Sequence, residues 1–588
     1  MKRKLFTYVV LLLAVQGLMV SCKKAFDKVP GTELDASLAY RNVYDADAAV
    51  MGIYGKFMKL ADRYVVLNEL RGDLLEYTNN ADQYLRQLST HSVTPDNPYA
   101  NPRPFYELIV NCNDVLKHFT IMYRENKLKE AEYNQRYADI ITLRAFLYLQ
   151  LGIHYGDEVR YVTDPLEDVL AVNDQSRFPK LPFTQLLDSL INSLVSLPYK
   201  DPYPAGSTLN STLDAYPTAK FFVTKKIILA DLYLWKGDYN QAATYYRQVM
   251  ELGSINYAAG AAGYYCYFKL GWNSDGEVDH YVTYSRAGDA STLVRNTQWR
   301  VMFEQLPTSN GFNYEWIWVL PFDSKFAPEN PLIKLFSPVG GDYLVKPSAE
   351  AMDNWNSQKQ RPVTLTSSVN GLPYDARGQL SVSTIGGQPV VMKYLYNYLN
   401  YATLTPANPL VKNGKWFLFR QTQMHLRFSE AANRAGKHKL AYGLLNSGIA
   451  GAFPAPGSDV TLYHNTLSEG FPFNFDARNS GSSGVPYYRA DWYRNIGIRA
   501  RANVTDLPVT ASDSLLQIEN GIINEVALEN AFEGTRWPDL LRIARRRNDP
   551  SFLADKIYSK LSKDGVAGAA AARAKLLSKD WYLPFNLK

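Results

Sequence analysis

Glu525, Glu529 and Glu533 recur every fourth residue, so a helix would project all three carboxylates from one side. Glycosidic bonds are cut by carboxylates that flank the bond, about 5–5.5 Å apart in retaining enzymes and about 6.5–9.5 Å apart in inverting ones. Three on successive turns of one helix would not straddle a substrate. Arg536 and Arg542 follow closely and are the expected partners, in a structural ion network. Other catalytic signatures are missing from the sequence. The seven histidines, His91, His118, His154, His280, His425, His438 and His464, form no His-Glu-x-x-His or other close ligand pair. There is no Gly-x-Ser-x-Gly elbow and no phosphate-cradling Gly-x-x-x-x-Gly-Lys-Ser/Thr loop. Asn273-Ser274-Asp275-Gly276 matches a calcium loop only in part, because Gly271 takes the first ligand place and Val282 the twelfth. The expectation is a non-enzyme with no catalytic residue, metal or cofactor.

Cys22 offers a different chemistry. Lys2, Arg3 and Lys4 precede an apolar run from Leu5 to Val20, broken only by Thr7, Gln16 and Gly17. A spanning helix needs about 20 apolar residues, so this run reads as a signal peptide. Val20-Ser21-Cys22 puts a small residue directly before a cysteine. A lipoprotein signal peptidase reads that arrangement and leaves Cys22 as the acylated first residue, although Met19 stands where leucine is usual. Lipid on Cys22 would then hold the chain to a membrane. The remaining cysteines, Cys112 and Cys266, lie far apart among apolar or aromatic neighbours and read as two buried thiols, not a disulfide scaffold.

Binding chemistry is the stronger theme. The chain holds 42 Tyr, 10 Trp and 26 Phe, and tyrosine combines a flat apolar face with a hydroxyl, which suits stacking on sugar rings or contact with peptides. Most of these rings must pack helices. Four are candidate ligand contacts. Tyr99 stands between Pro98 and Asn101, Trp272 beside Asn273, Ser274 and Asp275, and Trp355 between Asn354 and Asn356, while Tyr281 belongs to the aromatic-rich stretch 257–312. Residues 447–495 form a second long loop, in which Asn474, Arg478, Asn479 and Arg489 would suit a peptide backbone. Long loops on a helical scaffold are where recognition concentrates.

Those loops need helices to hold them. Apolar spacing predicts a helix from Tyr44 to Leu60, capped by Asp45 or Asp47, and further helices over 103–119 and 136–155. Two stretches read as helix, tight turn, helix. In one, Val223, Ile227, Ala230 and Leu234 precede Lys236-Gly237-Asp238, and Tyr239, Ala242, Ala243 and Tyr246 return. That unit looks tetratricopeptide-like. In the other, Met424, Phe428, Ala431 and Ala435 precede Gly436, then Leu440, Leu444 and Leu445. No fixed period links the two, so they are expected embedded in a larger fold and not stacked as a clean solenoid.

Composition sets the outer limits. Across 588 residues, 46% hydrophobic and 20% charged describe a globular chain with a large core. Without Lys2, Arg3 and Lys4, the 63 basic residues fall to 60 against 57 acidic ones, a net charge of about +3. That near balance gives no electrostatic case for nucleic acid.

An ordered set of segments resembles the SusD/RagB-type outer-membrane lipoproteins of Bacteroidetes. It runs from Asp27, Pro30 and Asp45–Tyr54 through Phe105-Tyr106, Cys112-Asn113, Leu143–Phe146 and Tyr155-Gly156 to the unit at 224–249. Glu315, Lys346-Pro347-Ser348, Asp375-Ala376-Arg377, Arg420 and Ser429-Glu430-Ala431 continue it. Ala531–Arg542 is the most recognisable piece, and Trp581–Pro584 ends it. Val526 departs from the arginine usual after the glutamate, and the 447–495 loop is longer than usual. The resemblance implies a mostly α fold, in which tetratricopeptide-like hairpins form a scaffold with long irregular loops and minor β structure. It also implies an order: signal peptide 1–21, lipidated tether 22–43, N-terminal helical region 44–310 and C-terminal region 311–588, the last two forming one body. The implied role is a cell-surface protein that binds an oligomeric nutrient, usually a glycan, and serves a SusC-like TonB-dependent transporter. A peptide-binding RagB-like role and a structural surface lipoprotein are the alternatives.

Overall fold

The computed structural model describes residues 39–587, apart from 167–176, 202, 205, 251–297, 305, 307–314, 361–373, 453–466, 476–496, 503 and 510–513. The described chain is mostly α, and its strands are short and paired only two by two.

Local chemistry accounts for the helix ends. The first helix runs Val43–Met58, and its cap is Asn42, whose side chain accepts the Tyr44 and Asp45 amides. Neither Asp45 nor Asp47 caps it. Asp45 instead bonds Arg41, and Asp47 pairs with the buried Arg136. The helices expected over 103–119 and 136–155 run longer, as Arg103–Arg124 and Glu130–Tyr155.

Both helical hairpins form. Gly237, at φ +88°, closes Lys225–Lys236 in the left-handed region that glycine enters without a Cβ clash. Ala242 and Ala243 are fully buried, so Tyr239–Met250 can lie close against the first helix, and the Tyr246 hydroxyl donates to Asp231. Gly436 (φ +81°) makes the corresponding turn between Gln421–Arg434 and His438–Leu445. The pairs are less isolated than their irregular spacing implied. Tyr239–Met250 packs directly on Gln421–Arg434, and Arg427 of the latter reaches Asp231 on Lys225–Lys236. Phe183–Val195 and Glu130–Tyr155 continue the array on one side, and Ser514–Glu529 on the other. Stacking survives the long intervening segment because the facing surfaces match, and no sequence period is needed.

Strands Trp316–Phe322 and Gly414–Arg420 pair antiparallel and are buried along their whole length. Their Trp318 and Trp416 pack with Phe57 and Phe146 from the helices. Leu75–Tyr77 pairs with Val345–Pro347.

The acidic triplet is corrected in two respects. Glu525 and Glu529 lie on helix Ser514–Glu529, but Glu533 lies past its end. The partners are Arg377, Arg499, Arg420 and Lys393, not Arg536 and Arg542. Arg377 Nη1 donates to Glu525 (2.6 Å) and Glu529 (2.7 Å), while its Nε reaches Asp375. Arg420 Nε (2.7 Å) and Lys393 Nζ (2.7 Å) hold Glu533. Arg536 turns to Asp73, and Arg542 to Glu430 and Asp539. The chain reverses at Phe532 (φ +72°) and Gly534 (φ +85°), after which Arg536 still donates from Nη1 to the Ile523 carbonyl of that helix (3.0 Å) but does not pair with its carboxylates.

Cys112 is buried in its helix, and burial pushes its thiol up to about 12. Cys22 and Cys266 lie outside the described residues. Among the described residues, no helix is long and apolar enough to cross a membrane.

Candidate functional site

A cleft of about 410 Å³ opens at one end of the Leu75–Tyr77 and Val345–Pro347 strands. Ligand sites usually span about 300–1,000 Å³. Four segments far apart in sequence line it: 76–86, 343–346, 387–389 and 564–567. Tyr77 ends the first strand with its ring half-buried, and Asn79 and Asn80 follow, exposed, in the turn. Thr78 Oγ1 donates to the Tyr343 carbonyl (2.5 Å), its amide bonds the Leu344 carbonyl (2.9 Å), and Asn80 Nδ2 donates to the Asp342 carbonyl (3.0 Å). Two strands and a turn are thereby locked together before any ligand arrives.

Arg86 braces the same turn from below. Its Nε donates to the Ala81 carbonyl (3.1 Å) and Nη2 to the Asn79 carbonyl (3.0 Å), with the guanidinium 4.9 Å from the Tyr77 ring centroid. Burial and the adjacent Glu76 raise the Tyr77 phenol, so it stays protonated and can donate. Tyr343 is buried, its phenol raised to about 12 by burial, and its hydroxyl donates to the Pro389 carbonyl (2.6 Å). That bond ties in the hairpin of Val382–Ile385 and Gln388–Val391, whose turn uses Gly386 (φ +58°) and Gly387 (φ +78°).

The two acids at this cleft are already committed. Glu76 is buried, accepts from Ser89 Oγ (2.7 Å) and lies 3.4 Å from Lys560 Nζ. Asp564 pairs with Lys346 (3.2 Å) and accepts the Ala349 amide (2.9 Å). What the lining offers a ligand is therefore a tyrosine ring, the amides of Asn79, Asn80 and Gln388, a braced guanidinium and the Lys346 ammonium beside Asp564. Ring, amides and cations offer stacking and hydrogen-bond donors, while both carboxylates of the lining are already engaged. Among the described residues, no group of three or more metal-ligating side chains comes together.

The candidate ligand residues separate. Tyr99 sits in the short turn Pro98–Ala100, half-buried, against a different cleft of about 440 Å³ with Lys56, Lys59, Asp62, Arg63, Glu107 and Asn111. Arg63 Nη1 donates to the carbonyls of Pro98 (2.8 Å) and Tyr99 (2.6 Å), which fixes the turn that carries the ring. Trp355 is corrected: it is not a loop residue but lies in helix Ala349–Asn356, buried, with its indole N–H donating to the Leu528 carbonyl (3.1 Å). Flanking asparagines misled because they face outward while the ring turns in. Trp272 and Tyr281 lie outside the described residues, as do Arg478, Asn479 and Arg489. Of the second loop's aromatics, Phe473 and Phe475 pack on Phe428, and the Asn474 carbonyl accepts from Arg247.

Sequence reasoning passed over Tyr77, Asn79, Asn80, Arg86 and Tyr343. The available signal was Tyr77-Thr78-Asn79-Asn80, an aromatic followed by three small polar residues shortly after the apolar pair Leu74-Leu75.

Neither a protein-family model nor a curated protein sequence matches the chain. Solved structures do. A SusD superfamily protein from Bacteroides vulgatus superposes with a TM-score of 0.55 at 13% identity, over 92% of this chain and 93% of that one. The chain has the SusD fold. A SusD-like carbohydrate-binding protein from Bacteroides fragilis is similar at TM-score 0.51 and 15% identity, over 87% of this chain and 88% of that one. The surface glycan-binding protein A of Bacteroides uniformis is similar at TM-score 0.52 and 16% identity, over 87% and 90%. The SusD likeness thus extends along nearly the whole chain and agrees with the ordered segments read from the sequence.

Proposed function

We propose that this chain is a SusD/RagB-family lipoprotein that captures an oligomeric glycan and does not hydrolyse it. The observation that carries the reading is the Tyr77–Tyr343 cleft, a braced, amide-rich wall with the Arg86 guanidinium, beside a half-exposed ring. Sugar rings present one apolar face and a rim of hydroxyls, so a tyrosine face with adjacent amides is complementary to them. The names of the two glycan- and carbohydrate-binding neighbours support the same ligand class. Tyr99, in its separate cleft, is a secondary contact for a longer oligomer. Lipid on Cys22 anchors the protein to the outer membrane, facing outward, where a SusC-like TonB-dependent transporter receives the ligand.

An oligosaccharide array probed with the full mature chain tests the ligand class. Binding of a defined glycan without release of shorter products supports the proposal. Peptides recovered by mass spectrometry from the purified protein, with a blank array, would replace it with the peptide-binding reading. Co-purification of a large β-barrel protein from detergent-solubilised membranes tests the partner, and its absence would argue for a stand-alone surface role.

A further inference from the structure

A second, chemically different cavity lies away from the polar cleft. It holds about 190 Å³, open to solvent on one side, between helix Val43–Met58, the hairpin Thr212–Pro217, strand Trp316–Phe322 and residues 326–327. Met51, Met58, Phe221 and Leu320 supply much of its wall. Two tyrosines also line it, but their hydroxyls are occupied elsewhere. Tyr54 OH donates to Asp139 (3.0 Å) and accepts the Val223 amide (2.8 Å), and Tyr216 OH donates to Asp323 (2.6 Å). The interior therefore presents carbon and thioether, with Asp214 the one charged side chain in the lining.

Gly55 is the second observation. It lies in the last turn of helix Val43–Met58, where a glycine is still less favourable than alanine, by up to about 1 kcal/mol. A helical glycine often marks close packing, yet a Cβ added at Gly55 meets no atom within 4 Å. Its side chain would extend into the cavity it lines. The missing side chain keeps that space open.

We infer that this cavity is a binding site for a small aromatic molecule of about benzene to indole size. An apolar cavity of about 150 Å³ stays dry and admits benzene, so 190 Å³ suits one ring or a fused pair. The size and the carbon lining select an apolar ring. Met51 and Met58, seven residues apart on one helix face, add polarizable sulfur that adapts to an aromatic edge. Tyr54, Met58, Tyr216, Phe221 and Leu320 are buried and form the floor, while the exposed Leu213 and Asp214 of the hairpin mark the mouth through which a ligand enters. The inference stands independently of the glycan reading.

Indole is the test probe, titrated into the full mature chain labelled at methionine methyls. The expected result is a saturable shift confined to Met51 and Met58, with intermolecular contacts between indole protons and those two methyls. Gly55→Leu, which fills the space, should weaken indole binding at least tenfold. Gly52→Leu lies on the same helix, where a Cβ also meets nothing within 4 Å, but outside the cavity lining, and should leave binding unchanged. A non-saturating response, contacts to other methyls instead, or unaltered binding in folded Gly55→Leu would overturn the inference. If Gly55→Leu does not fold, the wild-type contacts decide alone.

Discussion

Arg377 shows what single side chains carry in this molecule. It is completely buried, and Asp375, Glu525 and Glu529 surround it while Arg499 holds the far oxygen of Glu525 (2.9 Å). Removing one partner of a buried ion pair strands the others in low dielectric, at a cost of about 3–5 kcal/mol. Arg377→Met should lower unfolding free energy by that amount, read from urea denaturation. A loss below about 1 kcal/mol would mean the carboxylates find other partners. Glu430 gives a pH-dependent counterpart. Burial would raise its carboxyl, but Arg542 (2.7 Å) and Arg546 (2.7 Å) outweigh burial and hold it at about 2. A folded pKa below the unfolded value means stability present above about pH 4.5 and lost as pH falls toward 2. Wild type should therefore lose on the order of 3 kcal/mol through that window from this group alone. Glu430→Gln should be less stable at pH 7 and show a shallower acid limb when unfolding is followed from pH 7 to 2.

At the level of elements, turns decide more than helices do. Gly534 sits at φ +85°, and a Cβ there would meet the Tyr64 ring at 2.1 Å. The same turn sends the amides of Phe532, Gly534, Thr535 and Arg536 to the Glu69 carboxylate, which thereby closes the start of helix Arg536–Arg547. Gly534→Ala combines a left-handed backbone with a clash and should lower the melting temperature by several degrees. Gly565→Ala, equally left-handed (φ +66°) but open around the Cβ, should cost clearly less. Equal losses would show that backbone conformation alone, and not the approach of Tyr64, explains the glycine. These elements also mark the limit of sequence reading. The hairpins at 225–250 and 421–445 were legible because apolar spacing and a closing glycine are local signals. The ion partners of Glu525 and Glu533 were not, because a reversal at Phe532 and Gly534 redirected the nearest arginines.

The whole molecule is held by contacts between distant parts of the chain. Arg71 Nη2 donates to the Trp581 carbonyl (2.6 Å), and Leu75–Tyr77 pairs with Val345–Pro347. The polar cleft exists only because of such pairings, since Tyr77, Tyr343, Gln388 and Asp564 come from four segments with no common period. That is why the sequence pointed to isolated loop aromatics: Tyr99 does line a cleft, while Trp355 proved to be core. The scaffold was readable from one dimension, but the site needed three. The measurement that tests the central claim most directly is calorimetric titration of an array-positive oligosaccharide into wild type and Tyr77→Ala. Saturable binding by wild type, weakened at least tenfold (about 1.4 kcal/mol) by Tyr77→Ala with the melting temperature preserved, is the expected result. Equal affinity in the two proteins would contradict the assignment of the glycan to this cleft.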